Sequence, residues 1–75
     1  MAETGWHPTS YLGLSTVRPG PAMARIRTPF GTRDFRGRIL FSQATGASGT
    51  RTLRYFCSDS GVLRPLEDYT EYKPL

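Results

Sequence analysis

The chain has 75 residues, a formal net charge of +4, 37% hydrophobic residues and 12% aromatic residues. That length holds one domain at most, and a domain this small buries only about 60% of the surface that its unfolded chain exposes. A single cysteine, Cys57, rules out an intrachain disulfide. A single histidine, His7, with no CxxC pair argues against a zinc site, so association is the remaining usual support for so small a fold.

No apolar run approaches the ~18 residues of a membrane span. The start, Met1-Ala2-Glu3, lacks the basic-then-apolar order of a signal peptide. The expected location is therefore the cytoplasm, or the inside of a virion or other large particle. Charge is uneven. Residues 18–64 hold nine Arg against Asp34 and Asp59, a balance of +7, whereas residues 65–75 hold Lys73 against Glu67, Asp68 and Glu71, a balance of −2. The basic charge is almost all arginine, whose planar fork makes bidentate and stacked contacts that lysine cannot.

Residues 1–22 read as an extended N-terminal arm. Pro8, Pro19 and Pro21 interrupt it, and Pro19-Gly20-Pro21 is expected to stop any regular element. Trp6, Tyr11, Leu12, Leu14 and Val17 make it more than polar filler. Residues 23–28, MARIRT, alternate with period two and predict a first strand, with Ala24 and Ile26 on one side and Arg25 and Arg27 on the other. Pro29-Phe30-Gly31-Thr32 predicts a turn.

Residues 33–42 predict a second strand. Phe35, Gly37, Ile39 and Phe41 share one side; Arg36, Arg38 and Leu40 share the other. A glycine inside such a pattern marks a bulge or a close backbone approach. Residues 43–50, QATGASGT, read as a long flexible connection, without the Lys-Ser/Thr of a phosphate-binding loop. Residues 51–57 resume the alternation, with Leu53, Tyr55 and Cys57 on one side and Arg54 and Phe56 on the other. Ser58-Asp59-Ser60-Gly61 predicts a turn. Val62-Leu63-Arg64 predicts a short fourth strand that Pro65 ends or holds at an edge. Residues 67–75 read as a C-terminal arm, with Tyr69 and Tyr72 at helical spacing.

The expectation is a mainly β fold: an antiparallel meander of three to four strands over residues 23–66, flanked by two arms. Its apolar face is assigned Ile26, Phe35, Ile39, Phe41, Leu53, Tyr55 and Cys57. Its basic face is assigned Arg25, Arg27, Arg36, Arg38 and Arg54, with Leu40 and Phe56 among them. No helix of useful length is available to cover the apolar face, so the cover is expected from the sheet's own curl, the arms or another chain.

Functionally, the chain reads as a non-enzymatic structural or accessory subunit of a larger assembly, with the general build of virion cement or connector proteins and small ribosome-associated proteins. Its expected partners are other protein subunits or further copies of itself. Trp6, Tyr11, Leu12, Leu14, Tyr69 and Tyr72 are the candidate anchors on the arms, and Arg36, Arg38 and Arg54 the candidate polar contacts, because interface hot spots favour Trp, Tyr and Arg. The alternative is a small nucleic-acid-binding module, in which Arg25, Arg27, Arg36, Arg38 and Arg54 surround Phe56 as a base-stacking platform. No catalytic constellation, cofactor, metal, membrane or small-molecule substrate is expected.

Overall fold

A computed structural model describes residues 5–10 and 16–75 of the chain. The candidate anchors Tyr11, Leu12 and Leu14 lie outside the described residues. The protein is mainly β, as the alternating patterns imply. One antiparallel sheet contains β1 (His7–Pro8), β2 (Gly20–Thr28), β3 (Gly31–Gly46), β4 (Gly49–Ser58), β5 (Leu63–Pro65) and β6 (Glu71–Pro74), in the spatial order β1-β6-β2-β3-β4-β5. A 3₁₀ turn, Leu66–Asp68, links β5 to β6. Among the described residues no helix is long and apolar enough to cross a membrane.

The sheet is larger than three to four strands because segments read as arms join it. β6 pairs with β2 on one side and β1 on the other. Residues 67–75 therefore do not form an outward arm. Gly20 and Pro21 open β2 rather than stop it, since a proline near the start of a strand sacrifices little of the ladder. Thr9 continues the tie after β1. Its hydroxyl donates to the Tyr69 carbonyl, and its amide donates to the Thr70 carbonyl at 3.1 Å.

The connection between β5 and β6 dictates the shape of the sheet. Pro65 is level with Tyr55 and, through it, with Leu40 of β3; Glu71 is level with Arg25 and, through it, with Asp34. In a flat sheet those ends would lie about 28 Å apart, at ~4.8 Å per strand spacing and ~3.4 Å per residue. The chain from Pro65 to Glu71 spans at most about 21 Å, and its 3₁₀ turn shortens it further. The sheet must therefore curl, and Leu66–Thr70 crosses its concave face as a lid.

The core lies in that concavity. Val17, Ala22, Ala24, Ile39, Phe56, Leu66, Tyr69 and Tyr72 are buried, with Ile26 and Phe35 packed against them. Tyr69 meets Phe56 edge-on with ring centroids 5.2 Å apart, and Phe35 at 5.9 Å. These contacts correct the face assigned to β4. Ile39 pairs with Phe56, Leu40 with Tyr55 and Arg38 with Cys57, so Phe56 and Arg54 point to the core side while Leu53, Tyr55 and Cys57 point outward. Gly37 shows the close approach expected of it. A Cβ there would lie 2.1 Å from the Cys57 carbonyl oxygen and 2.7 Å from Ser58 Cα.

The 43–50 segment is a correction as well. β3 and β4 remain paired out to Gly46 and Gly49, leaving only Ala47 and Ser48 at the turn. Ala47 and Ser48 keep negative φ, and Gly49, the first residue of β4, takes the positive φ (+112°) that returns the chain to the ladder. The result is a β-ribbon extending past the core, exposed along most of its length.

Candidate functional site

The convex, outer face of the sheet has a basic half and an apolar half. The basic half is built on β2, β3 and β6, where Met23 pairs with Arg36 and Lys73, and Arg25 with Asp34 and Glu71. Arg25 is buried. Its Nε and a terminal guanidinium nitrogen donate to the two carboxylate oxygens of Asp34 at 2.7 and 3.0 Å, and its guanidinium carbon lies 4.0 Å from the Trp6 ring centroid. Lys73 approaches the same ring at 5.9 Å. The hydrogen bond from Arg25, reinforced by the positive charges of Arg25 and Arg27, holds the Asp34 carboxyl below the usual aspartate range. Arg27 Nε lies 2.5 Å from a Glu71 carboxylate oxygen.

These pairs separate the arginines into two sets. Arg25 and Arg27 are neutralised within the chain. Arg36 and Arg38 are exposed and, among the described residues, meet no carboxylate. They stand where the basic half gives way to the apolar one. There Arg38, Cys57 and Leu63 form one cross-strand row, and Leu40, Tyr55 and Pro65 form the next. Leu53 lies one pair further out, opposite Ser42. Leu40 and Leu63 are 39% and 57% exposed, whereas Leu53, Tyr55 and Cys57 are half-buried by their neighbours. The lid lies on the other side, so among the described residues no element covers these rows.

Several expected site residues stand elsewhere. Tyr69 and Tyr72 are buried in the chain's own core and cannot anchor in a partner without leaving it. Burial also pushes the Tyr69 hydroxyl above the usual tyrosine range. Phe56 is 0% exposed, which removes it as a stacking platform. Arg54 is on the opposite face from Arg36 and Arg38, over the Phe41 ring at 5.8 Å, with its Nε buried and, among the described residues, without a hydrogen-bond partner. Trp6 is half-buried beneath Arg25 rather than free to insert elsewhere. Cys57 is half-buried on the outer face, not sealed in the core. His7 packs on Tyr72 with ring centroids 5.4 Å apart.

Sequence reasoning also missed two features. Phe30, at the tip of the β2–β3 hairpin, is 99% exposed. Near that end of the sheet, the concave side opens into a cleft of about 370 Å³ whose lining includes Ile26, Phe35, Val62 and Tyr69 with Arg33 and Arg64. Val62 and Arg64 were legible as strand residues. Their convergence with Arg33 follows only from the curl of the sheet. No known protein family, curated protein or solved structure matches this chain.

Proposed function

We propose that this chain is a non-enzymatic structural or accessory subunit that docks on another protein of a larger assembly through the outer face of β3, β4 and β5. The observation that carries this reading is the pair of rows Arg38-Cys57-Leu63 and Leu40-Tyr55-Pro65, apolar at the centre and open to solvent. A contiguous apolar patch on a small domain marks an interaction surface. Arg36 and Arg38 set the chemistry of the partner. Two cations without carboxylates at the margin of an apolar patch call for a protein surface with an apolar centre and an acidic rim. A nucleic-acid partner fits less well, because two arginines of the basic half are already neutralised, and Arg54 and Phe56 face away from it.

The test is to isolate the chain from its native source under mild conditions, identify its bound partner, and measure that partner's affinity for purified variants. Leu40→Asp with Leu63→Asp, and separately Arg36→Glu with Arg38→Glu, should each weaken binding by about 2 kcal/mol or more while leaving the thermal melt of the free chain unchanged. Full affinity in both variants, or salt-sensitive binding of a single-stranded oligonucleotide lost only in the arginine variant, would refute the docking reading.

A further inference from the structure

Beyond the outer face, the cleft on the concave side has the makings of a second, independent binding site. The β2–β3 hairpin supplies one wall through Ile26, Arg33 and Phe35. The turn after β4 and strand β5 supply the other through Ser60, Val62 and Arg64, with Tyr69 of the lid between them. Its volume of about 370 Å³ falls within the ordinary range for ligand pockets, roughly 300–1,000 Å³.

The side chains restrict what can enter. Ile26, Phe35 and Val62 offer an apolar surface, while Arg33 and Arg64 are exposed and, among the described residues, without a carboxylate partner. Phe35 meets Tyr69 nearly edge-on, at an interplanar angle of 69°, and Tyr69 is buried. This leaves no open flat ring pair for a stacked base. Two cations beside an apolar pocket match one apolar group with a carboxylate next to it far better than they match a polyanion, which needs a track of cations. Thr28 lines the cleft, and its hydroxyl is bonded within the turn that carries Phe30, donating to the Gly31 carbonyl at 2.8 Å and accepting from the Phe30 amide at 3.2 Å.

We infer that this cleft captures an extended segment of a protein partner, seating an aromatic or branched aliphatic side chain against Phe35 and Val62 and placing an adjacent aspartate or glutamate between Arg33 and Arg64. Because the cleft and the outer face lie on opposite sides of the sheet, the chain can join two partners.

The direct test uses the full chain and two acetylated, amidated peptides, Gly-Glu-Phe-Glu-Gly and its neutral counterpart Gly-Gln-Phe-Gln-Gly. Each is titrated to about 10 mM while amide NMR shifts are followed, since a contact this small should bind at ~1 mM. The acidic peptide should give saturable shifts centred on Phe35, Val62 and Arg64, and the neutral one should bind about tenfold more weakly. Arg33→Ser with Arg64→Ser should erase the difference between the peptides, whereas Leu40→Asp with Leu63→Asp should leave it intact, which separates this site from the outer face. Equal binding of the two peptides, shifts centred elsewhere, absence of shifts, or displacement of the acidic peptide by a short single-stranded oligonucleotide would overturn the inference.

Discussion

Gly37→Ala is the sharpest test of how β3 and β4 are packed. The new methyl carbon would lie 2.1 Å from the Cys57 carbonyl oxygen and 2.7 Å from Ser58 Cα, both atoms of the neighbouring backbone. A side chain could rotate away from such an overlap; a paired strand has to move. Overpacking typically costs 1–3 kcal/mol, and a rigid backbone neighbour places this case at the upper end, about 3 kcal/mol. Displacing β4 here also threatens the adjacent bond from the Asp59 amide to the Arg36 carbonyl, 2.9 Å long, worth about 1 kcal/mol. The combined loss of about 3–4 kcal/mol corresponds to a fall in melting temperature of roughly 12–30 °C for a chain of this size. Gly46→Ala is the matched control on the same strand. A Cβ there meets nothing within 4 Å, so the substitution should be neutral or stabilise by up to about 1 kcal/mol by restricting the unfolded chain. Thermal melts followed by far-UV circular dichroism and by the fluorescence of Trp6 measure both. A difference between the two variants below about 1 kcal/mol would show that the strands are not this close and that the pairing of Gly37 with Ser58 is misplaced.

Two further outcomes follow from the packing and the ion pairs. Phe56→Ala should destabilise by about 3–5 kcal/mol and Tyr55→Ala by no more than about 1–2 kcal/mol, since only Phe56 is fully enclosed; urea midpoints in the reverse order would put the core on the other side of β4. Asp34→Asn should cost up to about 1 kcal/mol near neutral pH, a small figure because the Asp34 side chain is 34% exposed. The Asp34 carboxyl lies below its ordinary value of 3.8 in the folded chain, so its contribution is complete above that pH and fades as pH falls through the folded value. The stability gap between wild type and variant should therefore hold from neutral pH down to about pH 5 and narrow progressively once the pH falls below the ordinary value of 3.8; a gap that widens in urea titrations as the pH is lowered would contradict the pairing.

The sequence made the three long strands legible because period-two alternation is the direct imprint of a pleated backbone. Gly37 was legible for a related reason, since a glycine amid bulky alternating residues has to serve a neighbour. The orientation of β4 was not. RTLRYFC carries apolar residues at both parities, and alternation states which residues share a side without stating which side is inward. Leu53, Tyr55 and Cys57 outnumber Phe56, yet it is Phe56, with its ring against Tyr69, that lies in the core. The 43–50 segment misled for a different reason: small residues have weak strand preference, but a tight turn at Ala47-Ser48 keeps both strands in the ladder. In the candidate site, Arg36, Arg38 and Leu40 were assigned together correctly because they share one strand and one parity. The apolar rows they border and the cleft beside Phe30 depend on pairing between strands, which no local pattern encodes.

The C-terminal segment changes what a partner would be for. Tyr69 and Tyr72 three residues apart resemble a helical face, but Tyr69 closes the lid and Tyr72 sits in β6 opposite Ala24, more than forty residues away in the chain. That long-range pairing supplies the cover that the sheet's concave side needs, and Leu66 completes it. Much of the inner apolar surface is therefore covered within the chain, apart from the cleft at Phe35 and Val62, and among the described residues the outer face of β3–β5 stays uncovered. The core and the proposed outer docking face then lie on opposite sides of one sheet. If the proposed docking holds, a variant at Leu40 or Leu63 should lose binding without losing its fold, and a variant at Phe56 or Tyr72 should lose both.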